Sequence, residues 1–293
     1  MRKPIALLAC ALSLPLALAA CRHEEPVARL AVDTTRLDLP HGRHATLQLR
    51  FTPLRALPEG AHPTVFVHLL DAQRNVLRTF DHDLHGDWKV GSDLADPVGI
   101  YHSAIGPALP AGDYQLTAGI HEGKNRYPLT VEGGEASSHM EYPLATVHVT
   151  EAAGEPGFTF SPEWLPVEPG GDRQTVARRW LSRAGTLEIH GVPAPARLWM
   201  VLRLPRIEPP LRLMLDPGTG QPMATVKEDC GGFSATVTGE GFHELAIPVQ
   251  AGTCRIQFTS NFVALEMGSG RKLTVAVEQL GWDPAAAGAP ATP

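Results

Sequence analysis

Thr46-Leu47-Gln48-Leu49-Arg50-Phe51 alternates polar with apolar residues, and Tyr114-Gln115-Leu116-Thr117-Ala118-Gly119-Ile120 follows the same rhythm. Successive side chains of an extended chain point to opposite faces, so this pattern predicts strands with one face buried. Working outward, similar segments follow closely at Arg29–Asp33, Ala45–Phe51, Thr64–Leu70, Val76–Phe80, Val98–Ile105, Asp113–His121 and Leu144–Thr150. Turn sequences separate them, such as Leu57-Pro58-Glu59-Gly60 and Leu109-Pro110-Ala111-Gly112-Asp113, where Pro presets φ and Gly accepts positive φ. Short strands at this spacing predict a β-sandwich over residues 29–150.

The stretch 151–157, Glu-Ala-Ala-Gly-Glu-Pro-Gly, is small, polar and rich in chain breakers, and it reads as a linker. Strand patterns resume at Thr186–His190, Ala196–Leu204, Leu211–Leu215, Ala224–Lys227, Ser234–Thr238, His243–Val249, Arg255–Thr259 and Leu273–Leu280. In Leu198–Leu204 and Leu273–Leu280 the expectation is that Val, Leu and Trp face one way and Arg, Thr or Glu the other. A second, jelly-roll-like sandwich is expected over 158–283, and the Ala/Pro/Gly-rich tail 284–293 reads as disordered. The predicted fold class is therefore all-β, with two antiparallel jelly-roll or immunoglobulin-like sandwiches in tandem.

The N-terminus points to a compartment. Arg2 and Lys3 precede a mostly apolar run from Ile5 to Ala17, which is the layout of a secretory signal peptide over residues 1–20. The run is shorter than the roughly 20 apolar residues a bilayer span requires. Leu18-Ala19-Ala20-Cys21 resembles the bacterial lipobox, which implies that Cys21 is acylated and becomes the first residue of the mature chain. Residues 21–28 would then be a short tether, and the lipid bilayer would be a partner through the acyl chains at Cys21. Arg22 follows Cys21 where inner-membrane retention would want Asp, so the resemblance implies the outer membrane. Of the four cysteines, Cys10 leaves with the signal and Cys21 carries lipid, leaving Cys230 and Cys254. In an oxidising compartment this pair predicts one disulfide.

With 25 Lys and Arg against 31 Asp and Glu, the formal charge is −6, the wrong sign for a nucleic-acid partner. Gly218-Thr219-Gly220, Gly239-Glu240-Gly241 and Gly268-Ser269-Gly270 lack the further glycine and helix of a phosphate loop and read as hairpin turns. No GxSxG elbow is present, and His23-Glu24, His121-Glu122 and His243-Glu244 lack the second histidine of a zincin. The sequence thus predicts no enzyme and no cofactor.

Phe66-Val67-His68-Leu69-Leu70-Asp71, Asp81-His82, Trp88, Gly91 and Leu109 to Tyr114 with Ala118-Gly119-Ile120 resemble a β-sandwich module appended to bacterial membrane sugar transferases. The second half is similar to another accessory β domain of those proteins through Gly157-Phe158, Glu163, Arg179-Trp180, Ser260-Asn261-Phe262-Val263 and Arg271-Lys272-Leu273. The chain departs from that pattern in having no multi-span catalytic domain and Ala264-Leu265 where a proline is expected. The resemblance implies fold and a glycan context, and it does not imply the transferase reaction.

Candidate site residues follow. Trp88 and Trp164 on loops are the expected exposed platforms for sugar rings, whereas Trp180 and Trp199 are expected in the core. Arg173, Arg178, Arg179 and Arg183 form a basic run suited to anionic lipid or polysaccharide. Asp81-His82-Asp83-Leu84-His85-Gly86-Asp87-Trp88 is the densest polar cluster. Its carboxylates partly imitate a calcium loop, while His82 and His85 with Asp83, Asp81 or His68 present imidazole and carboxylate to a transition metal. The competing reading is a loop whose Asp and His side chains cap turns. The expected function is a lipid-anchored, non-catalytic binding or assembly module for envelope glycan. The alternatives are a periplasmic metal binder using this loop and a protein–protein scaffold of an envelope complex.

Overall fold

A computed structural model describes residues 25–131, 139–151, 156–169, 177–206, 211–216 and 220–284. Cys21, Arg173 and the tail beyond Pro284 lie outside them. The first half of the chain carries β1 (Ala28–Val32), β2 (Arg36–Pro40), β3 (Arg43–Pro53), β4 (Thr64–Leu70), β5 (Val76–Thr79), β6 (His82–Asp83), β7 (Leu94–His102), β8 (Gly112–Glu122), β9 (Asn125–Tyr127), β10 (Leu129–Val131) and β11 (Tyr142–Thr150). The second half carries β12 (Gly157–Phe160), β13 (Arg179–Trp180), β14 (Gly185–Val192), β15 (Ala196–Leu204), β16 (Leu211–Leu215), β17 (Met223–Glu228), β18 (Ser234–Thr238), β19 (Gly241–Val249), β20 (Gly252–Ser260), β21 (Phe262–Glu266), β22 (Lys272–Leu273) and β23 (Ala276–Pro284). No helix occurs among the described residues, so the chain is all-β.

Four sheets form. One is eight-stranded in the order β10-β1-β3-β23-β15-β19, with β7 on β3 and β13 on β23; a second runs β2-β11-β8-β4-β5, with β6 on β4 and β9 on β8. The others run β12-β14-β20-β17-β18 and β16-β21-β22. The pairing is mixed, which corrects the expectation of purely antiparallel sheets: β1 with β10, β2 with β11, and β3 with β23 are parallel. Each parallel pair joins strands far apart in sequence, as parallel pairing requires a long connection.

Among the described residues three apolar clusters result, two large cores and a small one of Trp180, Ala264, Leu273 and Ala276. Leu47, Leu49 and Phe51 of β3 pack with Val65, Val67 and Leu69 of β4 and Leu116, Ala118 and Ile120 of β8, all nearly inaccessible. The alternation in β3 is thus the burial pattern itself, whereas in β8 Leu116 to Ile120 are all buried, Thr117 included; each large apolar side chain of this core contributes about 1.5–3 kcal/mol. The second core gathers Leu198, Met200 and Leu202 of β15, Ile256 and Phe258 of β20, Val226 of β17 and Leu280 of β23. Ile105 from the first half enters this second core, and Trp199 from the second half packs on the first.

Two strands depart from expectation. In β15, Ala196, Leu198, Met200, Leu202 and Leu204 are buried, while Trp199 and Val201 share the opposite face with Arg197 and Arg203. Trp199 is therefore half-buried rather than a core residue, stacked on the His44 ring at 4.3 Å and donating to Asp283 Oδ2 at 3.0 Å. The segment Leu273–Leu280 is not one alternating strand. β22 stops at Leu273 and β23 begins at Ala276, and from there to Trp282 every residue is buried because β23 is covered on both faces.

The eight-stranded sheet crosses from one half of the chain to the other where β3 meets β23, at Arg43 opposite Trp282. Gly281 makes this approach possible, since a Cβ there would meet the Arg43 carbonyl at 2.8 Å. The Arg43 guanidinium lies 4.0 Å over the Trp282 ring. Beside it, His44 contacts Asp283 at 3.3 Å and the Tyr101 hydroxyl donates to Glu244 at 2.5 Å. Burial first, then the Glu244 carboxylate, raises the Tyr101 phenol well above its usual range. Cys230 and Cys254 are joined in a disulfide with their Cα atoms 5.5 Å apart, tying the end of β17 to β20.

Candidate functional site

The loop that leaves β5 is pinned at β6, where His82 and Asp83 pair with Val65 and Thr64 of β4. It then turns at Gly86, whose φ is +87° and whose missing Cβ would sit 2.8 Å from Leu94 Cδ1. This close turn brings His82 and His85 against Asp96 of β7, a carboxylate with no solvent exposure. Asp96 Oδ2 lies 3.0 Å from His82 Nε2 and Oδ1 lies 2.6 Å from His85 Nδ1; the His85 backbone N–H also donates to Oδ1. The two imidazoles stack at 5.1 Å. His82 Nδ1 faces the Phe80 carbonyl at 3.1 Å. Burial by itself depresses the His82 pKa, but hydrogen bonding to Asp96, its charge and the Phe80 carbonyl together outweigh that and raise it.

The remaining members of the sequence cluster go elsewhere. Asp81 accepts the Val67 N–H at 3.1 Å and lies 3.7 Å from His68. His68 belongs to a separate constellation, with Nδ1 3.0 Å from Glu141, which also accepts the Thr117 hydroxyl at 2.5 Å. The His68 hydrogen bond, helped by Thr117 and Arg126, holds the Glu141 carboxyl at about 2. Asp83 is exposed, and Asp87 pairs with exposed Lys89 at 2.9 Å. The carboxylates at 81, 83 and 87 therefore do not converge as a calcium loop would require.

Between the 56–63 loop and the 83–89 loop lies a groove of about 580 Å³, lined by Leu57, Pro58, His62, Asp83, Asp87 and Trp88 among others. Trp88 is half-buried: its ring packs toward Phe51 at 6.3 Å and its Nε1–H donates to the Arg55 carbonyl at 2.8 Å. Trp164 is only 3% exposed, packed edge-on against Phe160 and Phe258, and this overturns its expected place on a binding face. Its indole N–H donates to the Thr186 carbonyl, so the polar edge is satisfied internally. Trp180 is in the core as expected.

Among the described members of the basic run, Arg178 and Arg179 do not form a patch. Arg178 reaches buried Glu278 at 3.8 Å, and Arg203 reaches the same carboxylate at 3.0 Å. Arg179 donates to the Leu165 carbonyl and stacks over Phe160 at 4.4 Å, while Arg183 faces Glu163. Arg178 and Arg179 hold β13 to its neighbours, and their charge is spent inside the fold. Asp96 is the site residue the sequence reading missed. A signal for it exists: Asp96 stands in phase with Leu94, Val98 and Ile100, the buried positions of β7.

No protein-family model matches the sequence, and no curated protein matches it. Among solved structures, the chain shows 15% identity and a TM-score of 0.23 to native alpha-2-macroglobulin of E. coli, over 88% of this chain. It spans 14% of that protein's length.

Proposed function

We propose that this protein is an envelope lipoprotein, anchored through acylated Cys21, whose two sandwich-like modules act as a non-catalytic binder of cell-envelope glycan. The lipobox-like Leu18-Ala19-Ala20-Cys21 after an apolar signal supports the anchor and the outer-membrane location. The groove beside Trp88 carries the ligand reading. Its volume of about 580 Å³ suits one or two sugar rings, within the roughly 300–1,000 Å³ usual for ligand clefts. An indole offers a flat apolar face for a sugar ring, and Asp83, Asp87 and His62 supply acceptors and donors for hydroxyls.

Binding is tested with peptidoglycan fragments and purified lipopolysaccharide sugars, read by tryptophan fluorescence and calorimetry. Saturable binding that falls at least about tenfold in Trp88→Ala is expected, the loss typical of removing an aromatic anchor. No saturable binding, or binding unchanged in that variant, overturns the glycan reading. Anchoring is tested separately by fractionating cells that express Cys21→Ser, which is expected to leave the membrane pellet.

A further inference from the structure

We propose that His82, His85 and Asp96 form a binding site for one divalent transition-metal ion of the zinc type, on the loop that also supplies Asp83, Gly86, Asp87 and Trp88 to the groove. The proposal stands apart from the glycan reading, because it concerns the metal alone.

Three donors of two types that suit such an ion converge here: two imidazole nitrogens and a carboxylate oxygen. Their ligand atoms all lie within 4.8 Å of one another. Ligands held about 2.1 Å from a tetrahedral centre are about 3.4 Å apart; the 3.0 Å contact to Oδ2 and the 2.6 Å contact to Oδ1 lie just under this, and the widest separation in the set, within 4.8 Å, lies above it by no more than about 1.4 Å. The His85 ring sits on a loop and is 58% exposed, which gives it room to adjust and leaves a fourth position open to water.

The surrounding groups also fit a ligand role. His82 Nδ1 faces the Phe80 carbonyl, so in the neutral ring Nδ1 carries the proton and Nε2 directs a lone pair at Asp96 Oδ2. A metal at Nε2 would take the place of a second ring proton facing Asp96, and carbonyl-to-imidazole-to-metal is the usual way a ligating histidine is oriented. Asp96 is wholly buried, held by the two imidazoles and one backbone N–H, and a buried carboxylate of this kind seeks a cation. The other grouping of this sort, Glu228 with Cys230 and Cys254, is excluded because both sulfurs are in the disulfide.

The test uses the untagged mature chain, freed of metal by chelation, and Zn²⁺ alone as probe in competition with a chromophoric chelator. One equivalent is expected to bind at micromolar affinity or tighter, with a higher melting temperature than the metal-free protein. His85→Ala, on an exposed ring whose loss spares the core, is expected to weaken binding about 10- to 100-fold. His68→Ala, in the separate Glu141 constellation, is expected to leave it unchanged. No stoichiometric uptake of Zn²⁺, Ni²⁺ or Cu²⁺ overturns the proposal, and so does uptake undiminished in His85→Ala. The glycan assay is run on metal-free and loaded protein, so a failure of one reading is distinguishable from a failure of the other.

Discussion

Asp96 and Glu141 are two carboxylates of the first half that each collect histidine, and they are built differently. Glu141 meets one imidazole and one hydroxyl, on His68 and Thr117, which lie directly opposite each other on the paired strands β4 and β8. The sheet register fixes both partners, so that constellation is complete as it stands. Asp96 projects from β7 toward a loop and meets two imidazoles, one of them mostly exposed. Similar chemical groups thus serve as a rivet where the backbone sets both sides, and as a receptor where one side can move.

The largest expected effect is from Asp96→Ala in metal-free protein, which strips two imidazoles and a backbone N–H of their shared acceptor. Breaking a buried charged pair costs about 3–5 kcal/mol, to be read from urea unfolding. Glu141→Ala is also expected to cost stability, so the comparison breaks if Zn²⁺ uptake is lost as fully in Glu141→Ala as in Asp96→Ala.

Acid separates the rivet from its surroundings in two windows. His102 Nε2 accepts the Leu109 N–H, which leaves Nδ1 as the donor to the Leu39 carbonyl and requires a neutral ring. Burial first, with the charges of His41 and Arg78, holds its pKa at about 4 against an ordinary 6.5. Its contribution is complete above pH 6.5 and is lost as pH falls toward 4, about 3 kcal/mol in all. Glu141, at about 2 against 4.5, contributes fully above pH 4.5 and is lost below that, by a similar amount. Stability against pH should show both legs, with His102→Gln flattening the upper and Glu141→Gln the lower. A single leg unaffected by Glu141→Gln would remove the rivet.

Asp81→Ala should have the smallest effect, about 1 kcal/mol, from the loss of one backbone hydrogen bond at Val67. A cost matching that of Asp96 in thermal or urea unfolding would mean the loop is held from Asp81 after all.

Much of the strand framework was legible because one face of most strands is buried. Thr64–Leu70, Ala196–Leu204, Leu211–Leu215 and Ser234–Thr238 were read to the residue. The three-residue piece Asn125–Tyr127 offers too few alternations to register, whereas Arg36–Pro40 does alternate, with Leu37 and Leu39 buried, and its pattern was there to be read. The interior strand Ala276–Pro284 misled because burial on both faces erases the period. At the site, His82 and His85 were visible as neighbours in sequence, whereas Asp96 is joined to them only by the fold. Trp164 illustrates the opposite failure, since a tryptophan outside any alternating run looks exposed until a second layer covers it.

The meeting of β3 with β23 has a consequence for how the chain is made. Synthesis proceeds from the N-terminus, and the strand that fills the place between β3 and β15 is the last one described. Until it emerges, β15 lacks its partner along eight residue pairs and carries an open hydrogen-bonding edge next to apolar surface, the state in which unfinished sheets attract one another. Completion of the molecule is therefore a late, non-local event, and a ribosome-stalled chain ending before Ala276 should need a holdase to stay unaggregated.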